Sequence, residues 1–87
     1  MMTVAEFEDA VWNLEGIRLV IRSRVGKRVM NYSHDRAAKE TWTISEWLDN
    51  RVMPKLGSRQ VAVIGGDGEQ PGQNMILRTL RRSYLAS

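Results

Sequence analysis

The sequence predicts a small α+β domain: a two-layer sandwich in which helices cover one face of an antiparallel sheet of about three strands. Two hydrophobic periods carry this prediction. Apolar residues near the N terminus recur at helical spacing, and from residue 17 the period changes to two, as in a strand with one buried face. With 87 residues the chain has room for one hydrophobic core, so residues 1–87 are assigned to a single domain.

The helix starts are marked by two capping boxes, Thr-Val-Ala-Glu at residues 3–6 and Thr-Ile-Ser-Glu at residues 43–46. In such a box the Thr hydroxyl and the Glu carboxylate accept hydrogen bonds from free amides at the helix start. The first helix is expected from Val4 to about Leu14, with Gly16 behind it as a left-handed stop. In the second helix, Pro54 disfavours helical conformation at the residue before it.

The strands are predicted from alternation and turn residues. From Ile17 the chain alternates between an apolar inner face and an outer face rich in arginine. Val-Gly-Lys at residues 25–27 predicts a hairpin turn into a second strand from Arg28 to about Ser33. A third strand is expected from Arg59 to Ile64. The segment from Asn74 to Leu85 has helical spacing, although a strand is also compatible. The predicted order is αββαβα.

Charge is strongly segregated although the net charge is only +3. Residues 1–16 carry acids and no base, whereas residues 17–28 carry bases and no acid. Most of the thirteen basic residues are arginine, whose planar guanidinium suits bidentate contacts to carboxylate or phosphate. The basic residues of the predicted hairpin and of the last segment are the candidate partner-binding residues: Arg18, Arg22, Arg24, Lys27, Arg28, Arg78, Arg81 and Arg82.

The glycine loop after the third strand, Gly-Gly-Asp-Gly at residues 65–68, has the strand–glycine–helix order of phosphate-binding loops. It resembles the glycine-rich signature of the NAD-kinase and diacylglycerol-kinase group over four residues, with Glu69 where that signature has threonine. A Walker loop would need a Lys followed by Ser or Thr, which is absent, and Asp67 and Glu69 would repel phosphate. We therefore expect this loop to turn the chain rather than to bind a nucleotide.

The residue inventory predicts no catalytic, metal or cofactor site. There is no cysteine, and His34 is the single histidine, so thiolate sites, zinc sites and histidine-based triads lack parts. His34 stands beside Asp35 in a polar stretch and is expected to be solvated. No serine has a base at a recognisable spacing, and the chain is expected not to be an enzyme.

The stretches "EFEDAVWNLEGIRLVIRSR", "TISEWLDNRVMPKLG" and "VAVIGGDGEQPGQ" resemble small proteins carried by phages and mobile elements. Some proteins of that kind are anti-CRISPR inhibitors, which bind a host effector complex and block its recognition of the target. This resemblance implies a non-enzymatic protein-binding module whose partner is a host protein or nucleoprotein complex. It carries over no individual site residue, and the basic balance of this chain departs from the acidic, DNA-mimicking inhibitors.

The alternative is a nucleic-acid-binding protein, since a basic two-stranded ribbon can enter a major groove or follow a phosphate backbone. In either case we expect a cytoplasmic protein, because the acidic start is unlike an export signal and no apolar stretch is long enough to span a membrane. An unpaired sheet edge could also join a second copy into a homodimer.

Overall fold

The computed structural model describes residues 1–22, 28–57 and 59–85. It confirms the α+β class, and the elements are β1 (Met2–Thr3), α1 (Val4–Glu15), β2 (Arg18–Arg22), β3 (Arg28–Val29), α2 (Ile44–Trp47), a π-helical turn (Leu48–Val52), α3 (Met53–Leu56), β4 (Gln60–Ile64) and α4 (Leu77–Leu85). The last segment is therefore a helix. No helix among the described ranges is both long enough and apolar enough to cross a membrane.

Both predicted capping boxes are present. In each box the Thr side chain accepts a hydrogen bond from the backbone amide of the Glu, and the Glu side chain accepts one from the backbone amide of the Thr. Gly16 ends α1 in the left-handed conformation at φ 67°, and its N–H donates to the carbonyl of Trp12. The local signals at both ends of α1 were therefore read correctly.

The helix beyond the second capping box continues past Pro54, which the sequence did not predict. Proline has no N–H to donate to the preceding turn. The chain widens into a π-helical turn just before it, and the amide of Met53 donates to the carbonyl of Leu48, five residues back. This wider turn lets helical structure continue to Leu56.

The predicted strand pairing is wrong. Instead of one sheet of about three strands, the described residues form two antiparallel pairs, β1 with β3 and β2 with β4. β3 pairs with the two residues that precede α1, in the register Met2↔Val29, and β2 pairs with β4 in the register Arg18↔Ile64. The expected hairpin turn, with Arg24 and Lys27, lies outside the described residues.

One hydrophobic core connects these elements. The inner face of β2 contributes Leu19 and Ile21, and the helices cover it with fully buried side chains that include Phe7, Trp47 and Leu80. The alternation along β2 is as predicted, because Arg18, Val20 and Arg22 are exposed whereas Leu19 and Ile21 are buried. β2 thus presents Arg18 and Arg22 on the outside of the molecule.

Candidate partner-binding surface

The predicted basic residues divide into three groups in the structure. Arg18, Arg22 and Arg28 are exposed on β2 and β3, and Arg78 and Arg82 are exposed on α4. Arg24 and Lys27 lie outside the described residues. Arg81 differs from all of these, because its guanidinium points inward to the C-terminal end of α1.

A buried carboxylate, Glu15, receives Arg81. Glu15 is 2% exposed and is the buried charged residue of the described chain. Its two oxygens form ion pairs with Arg51 at 2.9 Å and with Arg81 at 3.0 Å. They also accept hydrogen bonds from the Tyr32 hydroxyl at 2.5 Å and from the Ala38 amide at 2.7 Å. Glu15 therefore connects α1 with α4, with the π-helical turn and with the irregular segment after β3.

These partners keep Glu15 ionised inside the protein. Burial alone would raise the pKa of Glu15, but the hydrogen bonds from Tyr32 and Ala38 and the charge of Arg51 outweigh it, so that the pKa lies below its usual value. Burial and the bond to this carboxylate both raise the pKa of Tyr32, whose hydroxyl stays protonated. The charged and polar groups of this cluster therefore find their partners inside the protein, and the cluster supports the fold.

Arg81 also completes the end of α1. The last carbonyl groups of a helix lack partners within the helix, and the helix dipole favours a cation there. α1 has no basic residue in its last turn. Arg81 supplies the cation from α4, with its Nε donating to the Glu15 carbonyl at 2.7 Å. Its guanidinium is thus occupied inside the protein.

A groove of about 540 Å³ opens between α1 and α4, beside this buried network. We call it the Trp12 groove, and the residues that line it are Trp12, Gly16, Glu40, Arg78, Arg81, Arg82, Tyr84 and Leu85. Trp12 is 45% exposed and Leu85 is 87% exposed, so the groove has an uncovered apolar wall.

The position of Trp12 is fixed from two sides. Its ring contacts Tyr84 edge to face, with centroids 5.4 Å apart, and the Arg18 guanidinium carbon lies 5.8 Å from the ring centroid. The Tyr84 hydroxyl accepts from the amide of Arg18 at 2.9 Å and donates to the carbonyl of Ile64 at 2.6 Å. It thereby joins α4 to the end of the β2–β4 pair, so the wall of the groove is built on rigid elements.

Charge around the groove is mostly positive. Arg78 and Arg82 lie one helical turn apart on the exposed side of α4, and Glu40 is the acid among the lining residues. On the other side of Trp12 a separate depression is lined by Glu8 and Asp9 of α1. The acidic and basic surfaces expected from the sequence therefore meet at Trp12.

The other two exposed arginines, Arg22 and Arg28, lie away from this groove. Arg22 is four residues beyond Arg18 on β2, which corresponds to about 13 Å along a strand. Arg28 is on β3 opposite Thr3. The basic face predicted as one hairpin is therefore spread over two separate strand pairs.

The glycine loop turns the chain and packs against α4. The amides of Gly65, Gly68 and Glu69 donate to acceptors within the loop, and the amide of Gly66 donates to the Ser83 hydroxyl at 2.9 Å. A side chain at Gly66 would place its Cβ 1.8 Å from the Ser83 carbonyl oxygen. These amides are used inside the protein, and glycine is required at residue 66 for this close approach.

His34 is half-buried rather than solvated, contrary to the expectation from its polar neighbours. Its ring packs edge to face against Tyr32, with centroids 4.8 Å apart, and its Nε2 is buried without a hydrogen-bond partner among the described residues. Burial and the nearby charge of Arg51 both lower the pKa of His34. A lone imidazole of this kind lacks further ligands, and within the described ranges no three His, Asp or Glu side chains are placed to hold a metal ion.

Glu15 and Arg51 were not predicted as functional or structural partners from the sequence, although their helical spacing indicates both. Phe7, Val11 and Glu15 follow one another at intervals of four, so Glu15 continues a buried stripe. Arg51 stands on the apolar stripe of Ile44, Trp47 and Leu48. An acid and a base on two buried stripes are candidates for a buried pair.

Comparison of the chain with family models, with curated proteins and with solved structures found no match. A functional proposal therefore depends on the chemistry of the residues themselves.

Proposed function

We propose that this chain is a non-enzymatic protein-binding module that acts through the Trp12 groove. The observation that carries the proposal is the exposed Trp12 held between Arg18 and Tyr84, with Arg78 and Arg82 beside it. Tryptophan, tyrosine and arginine are the residue types that contribute most of the binding energy at protein interfaces. Because the aromatic pair is already ordered, little side-chain entropy is lost when a partner binds.

We further propose that the partner is a host effector complex and that the chain is a cytoplasmic inhibitor of the anti-CRISPR type. The resemblance to small phage proteins supports this choice. The exposed Arg22 and Arg28 would contribute to long-range steering, which raises association rates more than affinity. A homodimer stays a prediction that light scattering can test.

The test is inhibition of target recognition by purified CRISPR effector complexes. The chain is titrated into complexes of several types, and binding of each complex to its target DNA is followed by filter binding. We expect the wild type to reduce target binding by one complex, and Trp12→Ala and Arg82→Glu to weaken that inhibition roughly 30-fold or more, as for hot-spot residues.

The matched control is Arg36→Glu, which makes the same charge change at an exposed position in the segment between β3 and α2. This variant should inhibit as the wild type does. Absence of inhibition by the wild type in every complex, or equal inhibition by all variants, would contradict the proposal.

The second candidate function is binding of nucleic acid, which is favoured by the same three exposed arginines next to an exposed tryptophan. If Arg18, Arg78 and Arg82 neutralised phosphates, log affinity would fall against log salt with a slope of roughly −3. The measurement is a salt series of filter-binding titrations on random duplex and single-stranded DNA. Affinity tighter than micromolar at about physiological salt, lost in Arg82→Glu, would place nucleic acid first.

A further inference from the structure

We propose that the Trp12 groove binds an acidic protein segment, which places an apolar side chain against Trp12 and Leu85 and carboxylates against Arg78 and Arg82. This inference rests on the proposed protein-binding function and names the chemistry of the partner.

The pair of exposed arginines on α4 favours an occupant that carries carboxylates. Arg78 and Arg82 are both exposed, and neither side chain has a hydrogen-bond or ion-pair partner among the described residues. Positions four apart on a helix lie about 5 to 6 Å from each other, so the two cations repel one another. A carboxylate placed between them would remove this repulsion and accept hydrogen bonds from both guanidinium groups.

The apolar wall of the groove favours an occupant that also carries an apolar side chain. Trp12 and Leu85 are among the large hydrophobic side chains exposed on the described surface, and both line this groove. Water in contact with them is released when an apolar side chain covers them. An occupant that only carries charge would leave this area uncovered, so the partner segment should have both an acid and an apolar anchor.

The acidic residues around Trp12 favour a protein segment over nucleic acid. A phosphate chain passing over Trp12 would meet Glu40 in the groove and Asp9 on the other side of the ring. Arg18 lies over the indole ring, which hinders stacking of a base on that face. A short acidic segment avoids these obstacles, because its few carboxylates can be directed to α4 alone.

The experiment is a selection from a random peptide library displayed on phage, with the full-length chain as bait. Parallel selections use Arg78→Glu/Arg82→Glu, Trp12→Ala and the control Arg36→Glu. Enriched peptides are synthesised, and their affinities are measured by fluorescence anisotropy beside a labelled oligothymidylate. Circular dichroism verifies that every bait is folded.

We expect the wild type and Arg36→Glu to enrich peptides that combine acidic with aromatic or aliphatic residues. The charge-reversed double variant should lose these peptides by at least about tenfold in affinity and should enrich basic ones instead. Trp12→Ala should lower affinity for the wild-type peptides while it keeps their acidic preference.

The outcomes separate the two levels of the proposal. Enrichment of neutral or basic peptides by the wild type, with loss in Trp12→Ala, would overturn the acidic partner and leave the protein-binding function standing. Peptides insensitive to both groove variants would overturn the inference about this groove. Tight binding of the oligothymidylate with no peptide enriched would overturn the acidic segment and the protein-binding function together.

Discussion

Arg81 and Arg82 are neighbours in the chain and both line the Trp12 groove, but their guanidinium groups have different surroundings. Arg81 donates to the buried Glu15 and to the end of α1, whereas Arg82 is exposed at the Trp12 groove. Successive residues on a helix differ by about 100° in direction, so adjacent arginines can face a core network and the solvent. Residue type and local charge density alone therefore do not identify a binding surface.

The Glu15 network and the Trp12 groove are also physically connected, because α1 and α4 build both of them. The Glu15 network holds the C-terminal end of α1 against the middle of α4, and the Tyr84 hydroxyl holds the end of α4 against β2 and β4. The relative position of the two helices fixes the width of the groove. The Glu15 network thus holds the Trp12 groove in its shape before a partner binds.

The largest effect is expected from Glu15→Gln. This change leaves Arg51 and Arg81 close together, partly buried and without a counter-charge, and breaking such a buried pair is strongly destabilising. We expect a loss of about 3 kcal/mol in the free energy of unfolding, at the low end of the range for buried pairs because both arginines keep some solvent contact.

Urea unfolding followed by circular dichroism measures this loss, and Asp9→Asn is the control on an exposed position of the same helix. If Glu15→Gln were as stable as Asp9→Asn, the Glu15 network would contribute nothing to the free energy of unfolding. Arg81 and Arg82 would then differ in their location and not in their contribution to stability.

The second-largest loss of stability is expected from Gly66→Ala, which tests the packing of the glycine loop against α4. Gly66→Ala places a methyl group 1.8 Å from the Ser83 carbonyl oxygen, so either the loop or α4 must move. We expect a destabilisation of about 2 kcal/mol, as for other overpacked sites. Thermal unfolding measures it.

The control for this change is Gly72→Ala, because a side chain there meets no atom within 4 Å and needs no left-handed conformation. Equal melting temperatures for the two alanine variants would contradict the close packing of the loop on α4.

A smaller effect is expected from pH, and its first part comes from His34. The pKa of His34 is lowered in the folded protein from its usual 6.5, so the unfolded chain takes up this proton first as the pH falls. Stability should therefore be full above pH 6.5 and should decline as the pH falls below it. Glu15, whose pKa is lowered from 4.5, adds a second loss below pH 4.5.

The charged groups around His34 act in both directions, since Arg51 and Lys55 disfavour its protonation while Glu15 and Asp35 favour it. Urea midpoints measured between about pH 8 and about pH 5 should fall in the wild type and should fall less in His34→Gln. Identical pH profiles for the two proteins would assign the decline to other groups.

The parts of this fold that were predictable are those set by neighbouring residues. The capping boxes, the Gly16 stop and the alternation along β2 each depend on a few adjacent side chains, and each was predicted correctly. Strand pairing depends on residues far apart in sequence. The turn residues after β2 favoured a hairpin, but β3 instead pairs with the two residues before α1, which are too few for a detectable period.

The candidate site also has features that neighbouring residues determine and features that depend on residues far apart in sequence. The sequence identified the basic residues and their exposure on β2, because alternation specifies which side chains face outward. It did not separate Arg81 from Arg82, since that distinction depends on where α4 meets the end of α1. It also did not single out Trp12 as part of a surface, because Trp12 borders the apolar stripe of its helix and its groove needs a second helix.

The smallest effect on the free energy of unfolding is expected from Arg82→Gln, which is compared directly with Arg81→Gln. The Arg82 side chain has no ion-pair partner in the described ranges, so its removal should change the free energy of unfolding by no more than about 0.5 kcal/mol. Arg81→Gln, one residue earlier, leaves the Glu15 carboxylate short of a partner and should cost several times more. Urea unfolding of the two variants under one set of conditions gives both values. Equal losses would mean that Arg82 also supports the fold, and its role as a partner-binding residue would then need to be separated from stability by binding measurements on a folded variant.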